Sequence, residues 1–264
     1  MSELPVDDDW LRLDNAAKIY PPAESDATPA VFRTSVTLRE PLRIAKLQEA
    51  LDRLIARVPY YQVHLKRGFF WYYLQRHNLQ PRIEPLPEQP LTRISLHRAD
   101  EQLLHIYARE ATVAVDFSHV LTDGYGAMRF LGSLIVEYLR LTGADISPGS
   151  LLMDPGARAP QEEYQDAFQE LYRPGVPKAP DLEPAYHVGG MPFVRGYRTV
   201  TGRMPVADAL AAAKRYGATL TEFIVSIYMD AIKSVHEHQA EGLFKPRSKI
   251  IRIEVHGNMR RLYP

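Results

Sequence analysis

Asp116-Phe117-Ser118-His119-Val120-Leu121-Thr122-Asp123-Gly124-Tyr125-Gly126 is the stretch on which the reading of the whole chain turns. Thr112 to Phe117 alternates, with Val113, Val115 and Phe117 on one face and Ala114 and Asp116 on the other, which predicts a strand. If that strand runs on without a bulge, His119 continues the Val113, Val115 and Phe117 face. From Gly124 the apolar positions Ala127, Met128, Leu131, Leu134, Ile135 and Tyr138 recur at helical spacing. The stretch is therefore a strand–loop–helix joint, where a few side chains stand exposed on a rigid scaffold.

The spacing His119-x-x-x-Asp123-Gly124 has a chemical meaning. An imidazole that titrates near neutrality can take a proton from an alcohol or amine as it attacks an acyl carbon. Asp123, four positions on, is not an obvious partner for orienting that imidazole. It either caps the helix or pairs with a distant arginine and fixes the loop. Gly124 permits a close backbone approach or a conformation barred to other residues. A plainer alternative stays open on these residues alone, with His119 a hydrogen-bonded strand-end histidine and Asp123 a simple N-cap.

The 264 residues are 45% hydrophobic and 24% charged, with 32 basic and 32 acidic side chains. That composition suits a globular chain long enough for one large or two modest domains. A net charge of zero argues against general binding to nucleic acid or to an anionic membrane surface. Cysteine is absent, which excludes disulfides, thiolate metal sites and a cysteine nucleophile. The acidic start Met1-Ser2-Glu3-Leu4-Pro5-Val6-Asp7-Asp8-Asp9 lacks the apolar core of a signal peptide. No apolar run approaches the ~20 residues of a membrane span. A soluble cytoplasmic protein is the expectation.

Working outward, Trp10 to Tyr20 is a short mixed segment that ends at Pro21-Pro22 and docks on the core. Val31 to Leu38 predicts a strand, and Leu42 to Val58 a helix stopped by Pro59, with Leu47, Leu51, Leu54, Ile55 and Val58 as its buried stripe. Tyr60 to Leu65 and Phe69 to Gln75 read as a hairpin around Lys66-Arg67-Gly68. This hairpin sets Phe69 to Tyr73 on both faces of its second strand, as core or as the wall of a pocket. After the proline-rich Pro81 to Pro90 come strands at Arg93 to His97 and Leu103 to Ala108, then the Thr112 strand. The helix opened by Gly124 ends near Gly143, and Ala144 to Pro160 reads as loop.

Gln161 to Tyr172 reads as a polar helix. Pro174, Pro177, Pro180 and Pro184 mark a connector and a domain boundary. Beyond it, the pattern predicts a strand over Tyr197 to Met204 and helices over Val206 to Tyr216 and Leu220 to His238. Thr219 or Thr221 caps the second helix. A last strand spans Lys249 to Val255. Phosphate-binding glycine loops, Walker loops and the GxSxG elbow are absent. His236-Glu237-His238 reads as a solvated helix end rather than a metal site, because histidines two apart on a helix point to different faces. His97 and His105 lack neighbouring ligands, so no metal is expected.

Taken together, the order of segments resembles the condensation-domain and alcohol-acyltransferase superfamily, whose fold is that of chloramphenicol acetyltransferase. The marker is His119-x-x-x-Asp123-Gly124 in its strand–loop–helix setting. Bacterial alcohol acetyltransferases share flanks like Leu13-Asp14-Asn15-Ala16-Ala17-Lys18-Ile19-Tyr20-Pro21, Gly68-Phe69-Phe70-Trp71-Tyr72-Tyr73 and Tyr216-Gly217-Ala218-Thr219-Leu220-Thr221-Glu222-Phe223. The resemblance implies an α/β, two-layer sandwich with a mixed sheet and packed helices. Residues 1–180 would form the N-terminal subdomain carrying the motif, and 181–264 the beginning of a second, incomplete one.

The resemblance further implies His119 as general base, in a channel between the two subdomains. Asp123 is then structural and pairs with an arginine, here Arg260, because Asn258-Met259-Arg260 looks like the family's Asn-Leu-Arg stretch. Two departures stand out. Condensation domains proper place a second histidine where this chain has Ser118, which favours the simpler acyltransferases. Family members also continue well beyond their Asn-Leu-Arg stretch, whereas this sequence stops at Pro264.

Two functions follow as expectations. One is an O-acyltransferase using acyl-CoA, or an acyl-carrier thioester, as co-substrate and a small-molecule alcohol as acceptor, with no bound cofactor. The other is a catalytically silent module that binds a carrier protein or a partner subunit, such as one supplying the missing C-terminal half. The unfinished second layer also predicts exposed apolar surface, so that the chain self-associates as a homo-oligomer, aggregates, or needs a partner carrying the missing half.

Overall fold

In the computed structural model, contacts divide the chain into two units, Met1–Tyr172 and Arg173–Leu262. The structure describes residues 10–25, 29–88, 91, 94, 101–147, 149, 151–163, 165–175, 178, 180–189, 200–240, 248–255 and 257. The first unit runs β1 (Trp10–Arg12), α1 (Tyr20–Ala23), β2 (Val31–Thr37), α2 (Ile44–Arg57), β3 (Val63–Arg67) and β4 (Tyr72–Arg76). It continues with β5 (Ile83–Pro85), β6 (Leu104–Arg109), β7 (Thr112–Ser118), α3 (Gly124–Leu141) and α4 (Ala167–Leu171). This is a mixed α/β fold with two sheets and helices packed on them.

The larger sheet has the order β2-β7-β6-β5, with β7 antiparallel to both neighbours and β5 parallel to β6. Its register places Phe32 opposite Phe117, Thr34 opposite Val115 and Val36 opposite Val113. Phe117, Val115 and Val113 belong to one core cluster with Leu47, Leu51 and Leu54 of α2 and with Phe130 and Leu134 of α3. The predicted α2 stripe is completely buried at Leu47, Leu51, Leu54 and Val58. Each such side chain contributes on the order of 1.5–3 kcal/mol. The smaller sheet, β1-β4-β3, supplies Val63, Leu65 and Leu74 to a second cluster that also holds Val31, Leu103 and Val120.

A two-residue turn, Glu110-Ala111, joins β6 to β7. Glu110 has φ 53°, in the left-handed region disfavoured for a side chain with a Cβ. The turn is held from outside, because Leu38 N donates to Ala111 O and Leu42 N donates to Glu110 O, each at 2.8 Å.

Several expectations move. The β3–β4 turn is Gly68–Trp71, closed by Gly68 N donating to Trp71 O at 2.7 Å. Phe69, Phe70 and Trp71 are therefore exposed at its apex rather than in core or strand. The cause is the register: the Leu65–Leu74 pair must face the core, which pushes the turn beyond Arg67. The proline-rich stretch carries β5, a position that tolerates Pro85 because β5 is an edge strand. α1 runs through Pro21 and Pro22, which occupy its first turn where a missing N–H costs nothing. The segment Arg93 to His97 lies outside the described residues except for buried Ile94. The Gln161–Tyr172 helix is interrupted, because Asp166 accepts from Phe168 N at 3.1 Å and starts α4 anew.

The second unit contains α5 (Val206–Arg215) and α6 (Leu220–Ala240). Thr219 caps α6 in a reciprocal box: Glu222 N donates to Thr219 Oγ1 at 3.2 Å, and Thr219 N donates to a Glu222 carboxylate oxygen at 2.7 Å. α6 has no buried residue, and Ile224, Ile227 and Tyr228 are exposed. Residues 200–204 and 249–255 are not strands, and residues 191–199 fall outside the description. A strand exists through its pairing, and among the described residues Lys249 to Val255 has one backbone bond of this kind, Tyr186 N to Ile250 O.

Candidate functional site

The motif histidine sits where β7 leaves the sheet. His119 N donates to Ala30 O at 2.8 Å, extending the β2–β7 ladder one pair past Val31 and Ser118. The chain then turns, with Leu121 N donating to Ser118 O at 2.9 Å. Ser118 and Val120 are buried, while His119 between them is half-buried. Its imidazole stacks on Tyr20, with centroids 4.7 Å apart and planes 8° from parallel. Phe32 lies against the same imidazole at 4.3 Å. Contact with Phe32, and through it with Phe117 at 5.9 Å, keeps His119 on the predicted Val113, Val115 and Phe117 face.

Asp123 is the N-cap of α3. Its backbone is extended, and its Oδ1 accepts from Gly126 N at 2.9 Å. Of the two roles the spacing left open for it, the cap is formed here. Arg260 lies outside the described residues, so the expected pairing with Asp123 has no geometry to report.

The glycine that needs to be one is Gly126. A Cβ there would collide with Thr122 Oγ1 and meet Tyr61 Oη at 3.4 Å, whereas a Cβ at Gly124 meets nothing within 4 Å. Tyr61 Oη donates to Thr122 Oγ1 at 3.1 Å, tying the helix-leading loop to the core. Burial pushes the Tyr61 phenol up to about 12, against a smaller opposing effect of that hydrogen bond. Burial also raises the Tyr20 phenol, helped by the negative charges of Asp14 and Asp123. Both phenols stay neutral at physiological pH. Tyr20, Phe32, Tyr61, Thr122 and Gly126 surround the motif, yet spacing alone did not single them out. Aromatic residues close before a Pro-Pro pair, as at Tyr20, were the available signal.

A second polar cluster braces α2 against α3. Arg57 holds Glu163 through two bonds of 2.9 and 3.1 Å, and Tyr60 Oη donates to Glu163 at 2.8 Å. Arg129 approaches at 3.4 Å. Burial raises the Glu163 carboxyl, but the bonds from Arg57 and Tyr60 outweigh it, and the net effect is a lowered pKa. On the opposite sheet face from His119, Arg33 makes a two-point bond to Asp116 at 2.6 and 2.8 Å.

In the second unit, His236 Nε2 lies 3.1 Å from Ser248 O and its ring packs edge-on against Tyr186, so it is not simply solvated. Among the described residues, no group of three or more metal-ligating side chains occurs, and no helix is long and apolar enough to cross a membrane.

No family model and no curated protein matches the chain. Among solved structures, the chain is similar over about half its length to three proteins in particular. Polyketide synthase associated protein 5 from Mycobacterium tuberculosis is 19% identical, with 57% of this chain and 36% of that one covered at a TM-score of 0.42. The X-domain from teicoplanin biosynthesis is 17% identical, with 57% and 37% covered at 0.44. A starter condensation domain of rhizomide synthetase, solved in complex with C8-CoA, is 12% identical, with 53% and 38% covered at 0.44. The matched region thus spans little more than a third of each of these proteins.

Proposed function

We propose that the chain carries the general-base portion of an acyl-CoA-dependent O-acyltransferase of the alcohol acetyltransferase type. Residues 1–180 form its motif-bearing subdomain and 181–264 belong to a second. The observation that carries this reading is His119, a half-buried imidazole at the end of a central strand, braced by two aromatic rings. In this reading His119 takes the proton of an acceptor hydroxyl as its oxygen attacks the thioester carbonyl. Collapse of the tetrahedral intermediate breaks the carbon–sulfur bond, and the leaving thiolate receives the proton from His119. An ester and free CoA thiol are the products.

Asp123 shapes the loop through its cap on Gly126 N. Gly124 leaves the first helical position open to substrate. The positive end of the α3 dipole favours the developing oxyanion. The thioester is a co-substrate, from acyl-CoA or an acyl-carrier protein, and not a resident cofactor.

The test is thiol release from acyl-CoA in the presence of a panel of primary alcohols. Release that depends on alcohol and on His119 is expected. A folded chain that binds an acyl-carrier protein but releases no thiol would replace this reading with that of a silent binding module.

A further inference from the structure

The zero net charge of the chain hides a local imbalance. The small sheet and its turn, residues 10–12 and 63–76, carry Arg12, Lys66, Arg67 and Arg76 and no carboxylate at all. At the apex of the turn Phe69 is 92% exposed, Phe70 83% and Trp71 63%. The rings pack on each other, Phe69 against Phe70 at 4.7 Å, and do not fold back onto the sheet.

The turn itself is well braced. The Gly68–Trp71 backbone bond closes it, and a Cβ on Gly68 would lie 3.0 Å from Trp71 O. Beside the apex, Arg12 and Lys66 both pair in register with Tyr73, so all three share one sheet face. Arg67 is the last residue of β3.

Three outward aromatic rings at a turn whose strands carry Arg12, Lys66 and Arg67 suit the boundary between lipid headgroups and acyl chains. The attraction to anionic lipid acts within about 8–10 Å, so the local charge and not the net charge decides it. A single-stranded nucleic acid would need its stacking rings spread along a groove, whereas these cluster at one turn. We propose that the β3–β4 turn is a membrane-contact tip for an anionic bilayer. Phe69, Phe70 and Trp71 enter the headgroup boundary while Arg12, Lys66 and Arg67 meet lipid phosphates. This inference does not depend on the acyltransferase reading.

The sequence supplies its own probe, because both of the protein's tryptophans, Trp10 and Trp71, lie in this sheet. Vesicles of phosphatidylcholine containing phosphatidylserine should shift tryptophan emission of the 264-residue chain to the blue, and added salt should reverse the shift. Phosphatidylcholine alone should do so weakly. The pair Phe69→Ser/Phe70→Ser and the pair Lys66→Glu/Arg67→Glu should each weaken partition by roughly tenfold or more, with circular dichroism unchanged.

The exposed apolar residues of α6 could also hold vesicles, but α6 has no tryptophan. Co-sedimentation without an emission shift would therefore overturn the proposal, as would an equal shift on both vesicle types. A blue shift that grows with protein concentration in the absence of lipid would assign the turn to a second copy of the chain and overturn it as well.

Discussion

The His119 imidazole lies flat against the Tyr20 ring, the two planes 8° from parallel at 4.7 Å. An aromatic face fixes the imidazole plane and favours the cation formed when the base takes up its proton. Tyr20→Leu should therefore lower kcat by about tenfold with little change in KM, whereas Tyr20→Phe, which keeps the ring, should not. The His119 Hε1 resonance should lose its ring-current shift in the leucine variant alone. Identical spectra for the two variants would remove the ring from the argument, whatever the turnover.

His119→Ala should cost on the order of 10²–10⁴ in turnover and leave the melting temperature close to that of the parent. The side chain is half-buried at a strand end, so its loss opens no closed cavity. Near-parental thiol release would end its assignment as the base.

Asp123 acts as an exposed cap. Asparagine caps about as well as aspartate, so Asp123→Asn should barely move stability, while Asp123→Ala should cost about 1 kcal/mol. Denaturant titration of both variants measures this. A loss of roughly 3–5 kcal/mol in the asparagine variant would instead reveal a buried ion pair with Arg260.

The two motif glycines should separate cleanly. Gly126→Ala drives a methyl into Thr122 Oγ1 and disturbs the Tyr61–Thr122 bond, costing roughly 1–3 kcal/mol. Gly124→Ala places its methyl in open space and should be neutral or stabilising by up to ~1 kcal/mol. Thermal melts that show equal losses at both positions would contradict this geometry.

Glu163 links folding to pH. Its folded pKa is depressed by Arg57 and Tyr60 despite the opposing effect of burial. Its contribution is therefore present above the ordinary carboxylate range and is lost as pH falls through the depressed value. Glu163→Gln should destabilise at neutral pH by about 3 kcal/mol, because Arg57 is left buried without its partner. The gap between variant and parent should narrow below roughly pH 4. A gap that stays constant from pH 7 to pH 3 would show that the pair contributes nothing through its charge.

What could be read from the sequence is local and periodic. The α2 stripe, the alternation of β7 and the run of α3 follow from spacing within one element; the first two form as spaced, whereas in α3 Met128 is exposed and Phe130 is buried in the core instead. The place of Phe69 to Trp71 depends on which leucines of β3 and β4 pair across the sheet, a nonlocal choice that aromatic content obscures. Lys249 to Val255 has the composition of a strand, but its partner decides whether one exists. The Arg57–Glu163 contact joins residues 106 positions apart, and nothing in either neighbourhood announces the other. At the site, His119 and Asp123 were marked by spacing, whereas Tyr20 reaches the imidazole from a segment about a hundred residues earlier.

The left-handed turn at Glu110 reaches further than its position suggests. A one-residue slip between β6 and β7 would rotate every β7 side chain to the opposite face. It would send the imidazole to the side where Ser118 now points. Glutamate is a poor choice for such a turn, so the turn does not choose its own alignment. The buried Val113, Val115 and Phe117 face sets it, and the bonds from Leu38 and Leu42 brace the turn in that alignment, as a phase lock on the strand from its far end. One brace on the sidedness of the motif thus lies roughly 23 Å from the histidine, a strand of seven residues away.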